Sequence, residues 1–152
     1  MGWVEIREQA AAILSGVSGS GVVHQYDRWA TEWEKMLNLF KIEDAEGARI
    51  NAQMISRFKV ETLEKSTSQE LIRHYVRIRC IYGLKDADAS EHVFQAFINN
   101  VMAAFRANYK LNDTCSHSSA MQAPVIDMRS YGGVLCHHAE LTFAADTWEA
   151  WS

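Results

Sequence analysis

Between residues 70 and 82 the chain reads ELIRHYVRIRCIY, and the two kinds of side chain alternate through it. Ile72, His74, Val76, Ile78, Cys80 and Tyr82 fall on one face, and Arg73, Tyr75, Arg77 and Arg79 on the other. A period of two over that length predicts a half-buried β-strand. Residues 49–63 carry the same signature, with Met54, Ser56, Phe58 and Val60 on one face and Ile55, Arg57, Lys59 and Glu61 on the other. The EKSTSQ stretch at 64–69 is polar and turn-like, so the two runs are expected to pair as an antiparallel hairpin. Its solvent face is expected to carry Arg57, Lys59, Arg73, Arg77 and Arg79.

Helical spacing appears in three other places. In residues 4–14, Ile6, Ala10, Ile13 and Leu14 form one apolar stripe, which Val17 extends. The GVSGSG segment at 16–21 ends that helix. A second, aromatic-rich helix is predicted over 30–40, with Trp29, Trp33, Leu37 and Phe40 on one side, and KIEDAEG as its polar exit. The strongest stripe is Phe94, Phe97, Ile98, Val101, Met102 and Phe105, which predicts a helix from about residue 90 to 108. Asp86, Asp88 and Ser90 are competent N-caps for it.

Strands are also expected over 22–26, 124–129 and 134–144, the last two joined by SYGG, a hairpin turn. In the last strand Leu135, His137, Ala139, Leu141 and Phe143 share one face, and Cys136, His138, Glu140 and Thr142 the other. Residues 145–152, DTWEAWS with its preceding alanine, read as a C-terminal tail. The order α-β-α-β-β-α-β-β describes one α+β domain over 1–152, with 29–47 as a helical insert. Its sheet is mostly antiparallel, of four to five strands, packed on one face by the N-terminal helix and the long central helix.

Composition narrows the function classes. The chain has 152 residues, 48% of them hydrophobic, which suits a single folded domain with a real core. A formal net charge of −4 disfavours a simple cationic nucleic-acid binder, although a local basic surface stays open. No apolar window reaches membrane-spanning length, and the N-terminal MGWVEIREQAAAIL has no signal-peptide pattern. Ile6 interrupts a myristoylation motif. Three cysteines without CxxC spacing give no disulfide framework.

Candidate chemistry is thin. Cys115, His117, Cys136 and His138 suggest a zinc or thiol site, but His137 and His138 point to opposite faces of a regular strand. No GxSxG elbow, P-loop or GxGxxG is present, and GVSGSG precedes a strand where a phosphate loop would follow one. The sequence implies no cofactor. The basic strand face reads either as a solvated surface with ion pairs, for example to Glu61 or Glu70, or as a lumen or groove that meets phosphate or an acidic protein. Of the five tryptophans, Trp29 and Trp33 in the insert and Trp148 and Trp151 in the tail are candidate interface anchors.

The N-terminal helix, GVVHQYDRWA, YGLKDADASEHVFQAFINNVMAAFRA and GGVLCHHAELTFAAD together resemble the tail terminator (tail completion, minor tail) proteins of long-tailed bacteriophages. The likeness runs from about Val4 to Ala144. It implies a homohexameric ring in the virion, assembled in the host cytoplasm at the junction of tail and head. Such a ring caps the tail tube, stops its polymerisation and meets the head-side connector, and DNA passes through its lumen without being read. No active site comes with the resemblance, and Arg57, Lys59, Arg73, Arg77 and Arg79 fit a basic surface of such a ring. The rival readings are another neck or tail-tube subunit, a small metal or thiol enzyme built on Cys115, His117, Cys136 and His138, and a host regulatory binding domain.

Overall fold

The computed structural model describes residues 2–28, 32–44, 47–131 and 133–150, with the backbone alone at Trp33 and Asp44. In chain order the elements are α1 (Trp3–Ser15), β1 (Val22–His24), α2 (Trp33–Phe40), β2 (Lys41–Asp44), β3 (Gly47–Lys65), β4 (Gln69–Gly83), α3 (Ser90–Ala107), β5 (His117–Ser118), β6 (Gln122–Tyr131) and β7 (Val134–Ala150). A single 3-10 turn, Asp86–Asp88, precedes α3. The result is an α+β domain around one seven-stranded sheet. Two of its strands, β2 and β5, are short and were not expected from the sequence. None of the described helices is long and apolar enough to cross a membrane.

The sheet runs β1-β3-β4-β7-β5, with β6 also on β7 and β2 on β3. Every pairing is antiparallel except the short parallel contact of β1 with β3. The alternation that marks β4 in the sequence survives intact: Ile72, His74, Val76, Ile78 and Cys80 are buried, and the arginines between them stay partly accessible. β4 pairs along its whole length with β7, from Gln69 opposite Ala150 to Gly83 opposite Cys136. Residues 145–150 are therefore strand and not tail. Ala145 and Thr147 are buried and continue the inner face.

β3 changes phase midway. A bulge at Phe58, between the Arg57–Val76 and Lys59–Tyr75 pairs, inserts one extra residue. Side chains before it follow one alternation and those after it the opposite one. Ile55 and Arg57 consequently lie on the face of Val76 and Ile78, whereas Lys59 and Glu61 lie on the face of Tyr75 and Arg73. The expectation that Arg57 shares the outer face with the other basic residues is corrected on this ground.

Helices α1 and α3 cover the inner face. Ile6, Ala10 and Leu14 of α1 and Phe94, Phe97, Ile98, Val101 and Phe105 of α3 join Ile55, Val76, Ile78, Cys80, Leu141 and Phe143 in the main core. Each large side chain so buried contributes about 1.5–3 kcal/mol. Helix α2 lies on the opposite face, where Met36 and Phe40 pack on Ile50, Ala52, Met54, Ile81 and Cys136. The helices therefore do not all sit on one face. Ser90 is not the cap of α3. That place belongs to Ala89 in the left-handed region (φ 52°), and Ser90 Oγ accepts the Lys85 N–H and bonds His137 Nε2 at 2.8 Å.

Candidate functional site: the charged face of the sheet

Beyond the patch covered by α2, the outer face of β3, β4 and β7 is polar and open. Lys59, Arg73, Arg77 and Arg79 stand on it, because residues opposite one another in an antiparallel pair share a face. Each has a carboxylate beside it. Arg73 holds Asp146 through two hydrogen bonds of 2.8 and 2.9 Å. Arg77 Nη1 lies 3.8 Å from Glu140, and Arg79 Nη1 lies 3.5 Å from Asp27. Lys59 Nζ is 3.7 Å from Glu61, which also accepts a hydrogen bond from the Tyr75 hydroxyl.

Aromatic rings pave the space between the charges. The Arg77 guanidinium sits 5.3 Å from the Phe58 ring centre, and Lys59 Nζ sits 4.8 Å from that of Tyr75. Such contacts hold cations by the ring quadrupole. The Tyr75 hydrogen bond is the main reason the Glu61 carboxyl is held below its usual range, so it stays ionised. The hydrogen bond to Asp146 likewise keeps Arg73 charged. Arg77 and Arg79 each bury an Nε that has no hydrogen-bond partner among the described residues.

The same lattice reaches β6. Arg129 meets Asp127 at 3.2 Å and Glu140 at 3.5 Å. His138, fully buried, lies beneath them, with Nε2 3.3 Å from Glu140 and Nδ1 3.3 Å from the Tyr131 hydroxyl. Burial first, then the nearby Arg129, push its pKa down.

Arg57 belongs to a different group of residues. On the inner face its Nη1 donates to His74 Nδ1 at 3.1 Å, and its guanidinium lies 5.4 Å from the Trp3 ring centre. His74 stacks on Trp3 and bonds Thr147 Oγ1 at 2.9 Å. Arg57 therefore helps fasten α1 to the sheet. Trp148 stands on the outer face, two residues past Asp146, and is 43% exposed. Trp29 and Trp151 lie outside the described residues, as does the side chain of Trp33.

The residues considered for metal or thiol chemistry are not brought together. His117 pairs with Asp146, ten positions along β7 from Cys136, which is about 33 Å at 3.3 Å per residue. Among the described residues no group of three His, Cys, Asp or Glu side chains is placed to hold a metal ion. Burial pushes the Cys80 thiol up to about 12 and those of Cys115 and Cys136 up to about 11. A thiol so raised is a poor nucleophile.

Four of the five basic residues singled out in the sequence thus share one face. Sequence reasoning missed their partners Asp146, Glu140 and Asp27. Continuing the alternation of β7 past Ala144 puts Asp146 on the face of Glu140, but its place beside Arg73 follows only from the register of β7 on β4. No family model matches this chain, and no curated protein matches it.

Proposed function

We propose that this chain is a structural subunit of a bacteriophage tail, a terminator that closes into a homohexameric ring on the end of the tail tube. The reading takes its identity from the sequence resemblance and its mechanism from one observation: the sheet has two open edges, and both carry exposed apolar side chains. Among the described residues, 55–64 of β3 pair on one side only, with β4, and β6 pairs only with β7. Phe58, Val60 and Leu63 are exposed along the first edge, and Ile126 and Met128 along the second. An open edge is a template for another chain. Two different edges on opposite sides of one sheet permit head-to-tail contacts, which close into a ring at a fixed rotation.

In this account no bond is made or broken, and the chain is not an enzyme. The ring docks on the last tube subunits, covers the surface where the next would add, and offers its other face to the head connector. The charged sheet face suits a lumen through which DNA slides. Its cations already have carboxylates beside them, so phosphate gains little by stopping there. The test is to add the purified protein to tail-tube subunits during polymerisation. Capping predicts short tubes, each with one ring at one end. Tubes of unchanged length with bare ends would reject the proposal.

A further inference from the structure

We infer that the hollow between the C-terminal end of α3 and the break separating β5 from β6 binds a small amphiphilic carboxylate, a short apolar chain with one anionic head. This goes beyond the ring proposal and does not depend on it. The backbone makes the hollow. β5 and β6 lie along the same edge of β7, with Ser118 opposite Ala145 and Gln122 opposite Thr142. Four steps on this edge therefore face three on β7, and the extra residue bows the chain away from the sheet. Ser119 holds the bow. Its N–H donates to the Ala144 carbonyl and its Oγ accepts the Ala144 N–H, each at 2.8 Å. A side-chain oxygen thus takes the place of the Ser119 carbonyl in the ladder. Across the hollow, Ser118 Oγ donates to the Tyr109 carbonyl at 2.6 Å and ties the chain leaving α3 to β5.

The lining selects the ligand. The cavity is about 250 Å³. Sites for drug-sized ligands begin at roughly 300 Å³, so this one suits a single short chain. Met102, Phe105, Met121 and Phe143 form its floor, and the two phenylalanine rings meet at 5.3 Å between centres. Thioethers on two sides adapt to a flexible alkyl chain. Arg106 and Tyr109 line the same hollow and are exposed. Arg106 forms no ion pair with a described residue, and no carboxylate lines the cavity. Arg73, Arg77 and Arg79 on the sheet face differ, since each has a carboxylate beside it. A guanidinium left without a counter-charge fits a carboxylate through paired N–H donors. Ser119 Oγ accepts from Ala144 and keeps its own O–H to donate to the same head group. A cationic head is disfavoured by Arg106 and by Lys110, whose Nζ lies 6.0 Å from the Tyr109 ring centre.

The probe is sodium octanoate, titrated below its micelle concentration into the full chain and read by NMR on isotope-labelled methionine methyls. The Met102 and Met121 methyls should shift saturably, while those of Met36 and Met54, under α2 on the other face, stay still. Octanamide, of equal length without the charge, should bind at least about fivefold more weakly. Arg106→Gln should weaken octanoate by a comparable factor and leave octanamide unchanged, with the melting temperature unaltered because the side chain is exposed. Lys35→Gln, on α2, should bind as the parent does. Equal affinity for octanamide, or indifference to Arg106→Gln, would overturn the inference. So would no saturable shift, or shifts spread evenly over all four methyls, which would mean detergent-like adsorption only. Met102 and Met121 methyls that move with protein concentration and not with octanoate would mean that a second copy fills the hollow, and would overturn it too.

Discussion

Arg73 and Asp146 sit opposite one another on neighbouring strands and meet in a two-point contact, Nε to Oδ1 at 2.8 Å and Nη2 to Oδ2 at 2.9 Å. The pair ties the far end of β7 to β4, where the sequence alone suggested a loose tail. Forked contacts of this kind are the strong form of charge pairing. Because both groups keep some access to water, the pair contributes about 1 kcal/mol to stability. Asp146→Asn should lower the unfolding free energy by about that amount. It should also uncover one cation, so that the variant leaves a heparin column at higher salt than the parent. Elution at the same salt would mean that the carboxylates do not mask this face.

A second prediction concerns acid. His74 is buried between Trp3, Arg57 and Thr147, and burial first, then the Arg57 charge, push its pKa down to about 4. In the unfolded chain it titrates near its ordinary value of about 6.5. Between those two values the unfolded chain takes up a proton that the folded one refuses. The stability this site gives is therefore full above about 6.5 and is lost as pH falls through about 4, by roughly 3 kcal/mol in all. Urea midpoints measured from pH 7 to 4 should fall steeply, and His74→Gln should flatten that fall. His137 and His138, both lowered by burial, add in the same direction. A profile unchanged by His74→Gln would contradict the assignment.

Gly21 sets how closely the loop before β1 approaches β3. A Cβ there would stand 1.9 Å from the Asn51 carbonyl oxygen, a backbone atom that cannot step aside. The Gly21 N–H donates to Gln53 Oε1 at 3.0 Å, and Asn51 Nδ2 donates to the Gly19 carbonyl at 3.0 Å. Gly21→Ala should therefore push β1 off the sheet and cost about 2–3 kcal/mol, read as a lowered denaturant midpoint. An unchanged midpoint would mean that this approach is not required.

The three thiols should be silent. Cys80 and Cys136 are fully buried, Cys115 nearly so, and all three are held protonated at neutral pH. A chromogenic disulfide reagent should label none of them in the native protein and all of them in denaturant. Rapid native labelling of any one would contradict this account of the cysteines.

Residues differ in how far their placement could be read from the sequence. β4 declares itself because its alternation is long and uninterrupted, and α3 because its aromatic stripe has only one period that fits. The bulge at Phe58 carries no glycine or proline to mark it, so the phase of β3 after that point, and with it the face of Arg57, could not be read. Whether α2 covers one face or the other depends on which side Met54 and Ile81 present, a tertiary fact. The basic half of the candidate site was legible as the odd positions of β4. Its acidic half was not, because Asp146 and Glu140 come beside Arg73 and Arg77 only once β7 has a register, and Asp27 only through a loop.

The central claim is that copies of this chain work by joining one another. Native mass spectrometry over a rising concentration series, with and without tube ends present, tests it most directly. The account predicts a closed species of six times the 17.2 kDa chain mass, with no open-ended ladder beyond it. Phe58→Asp and Ile126→Asp, each at an exposed edge position, should both return it to monomer. A protein that stays at 17.2 kDa under every condition, tube ends included, would contradict the claim.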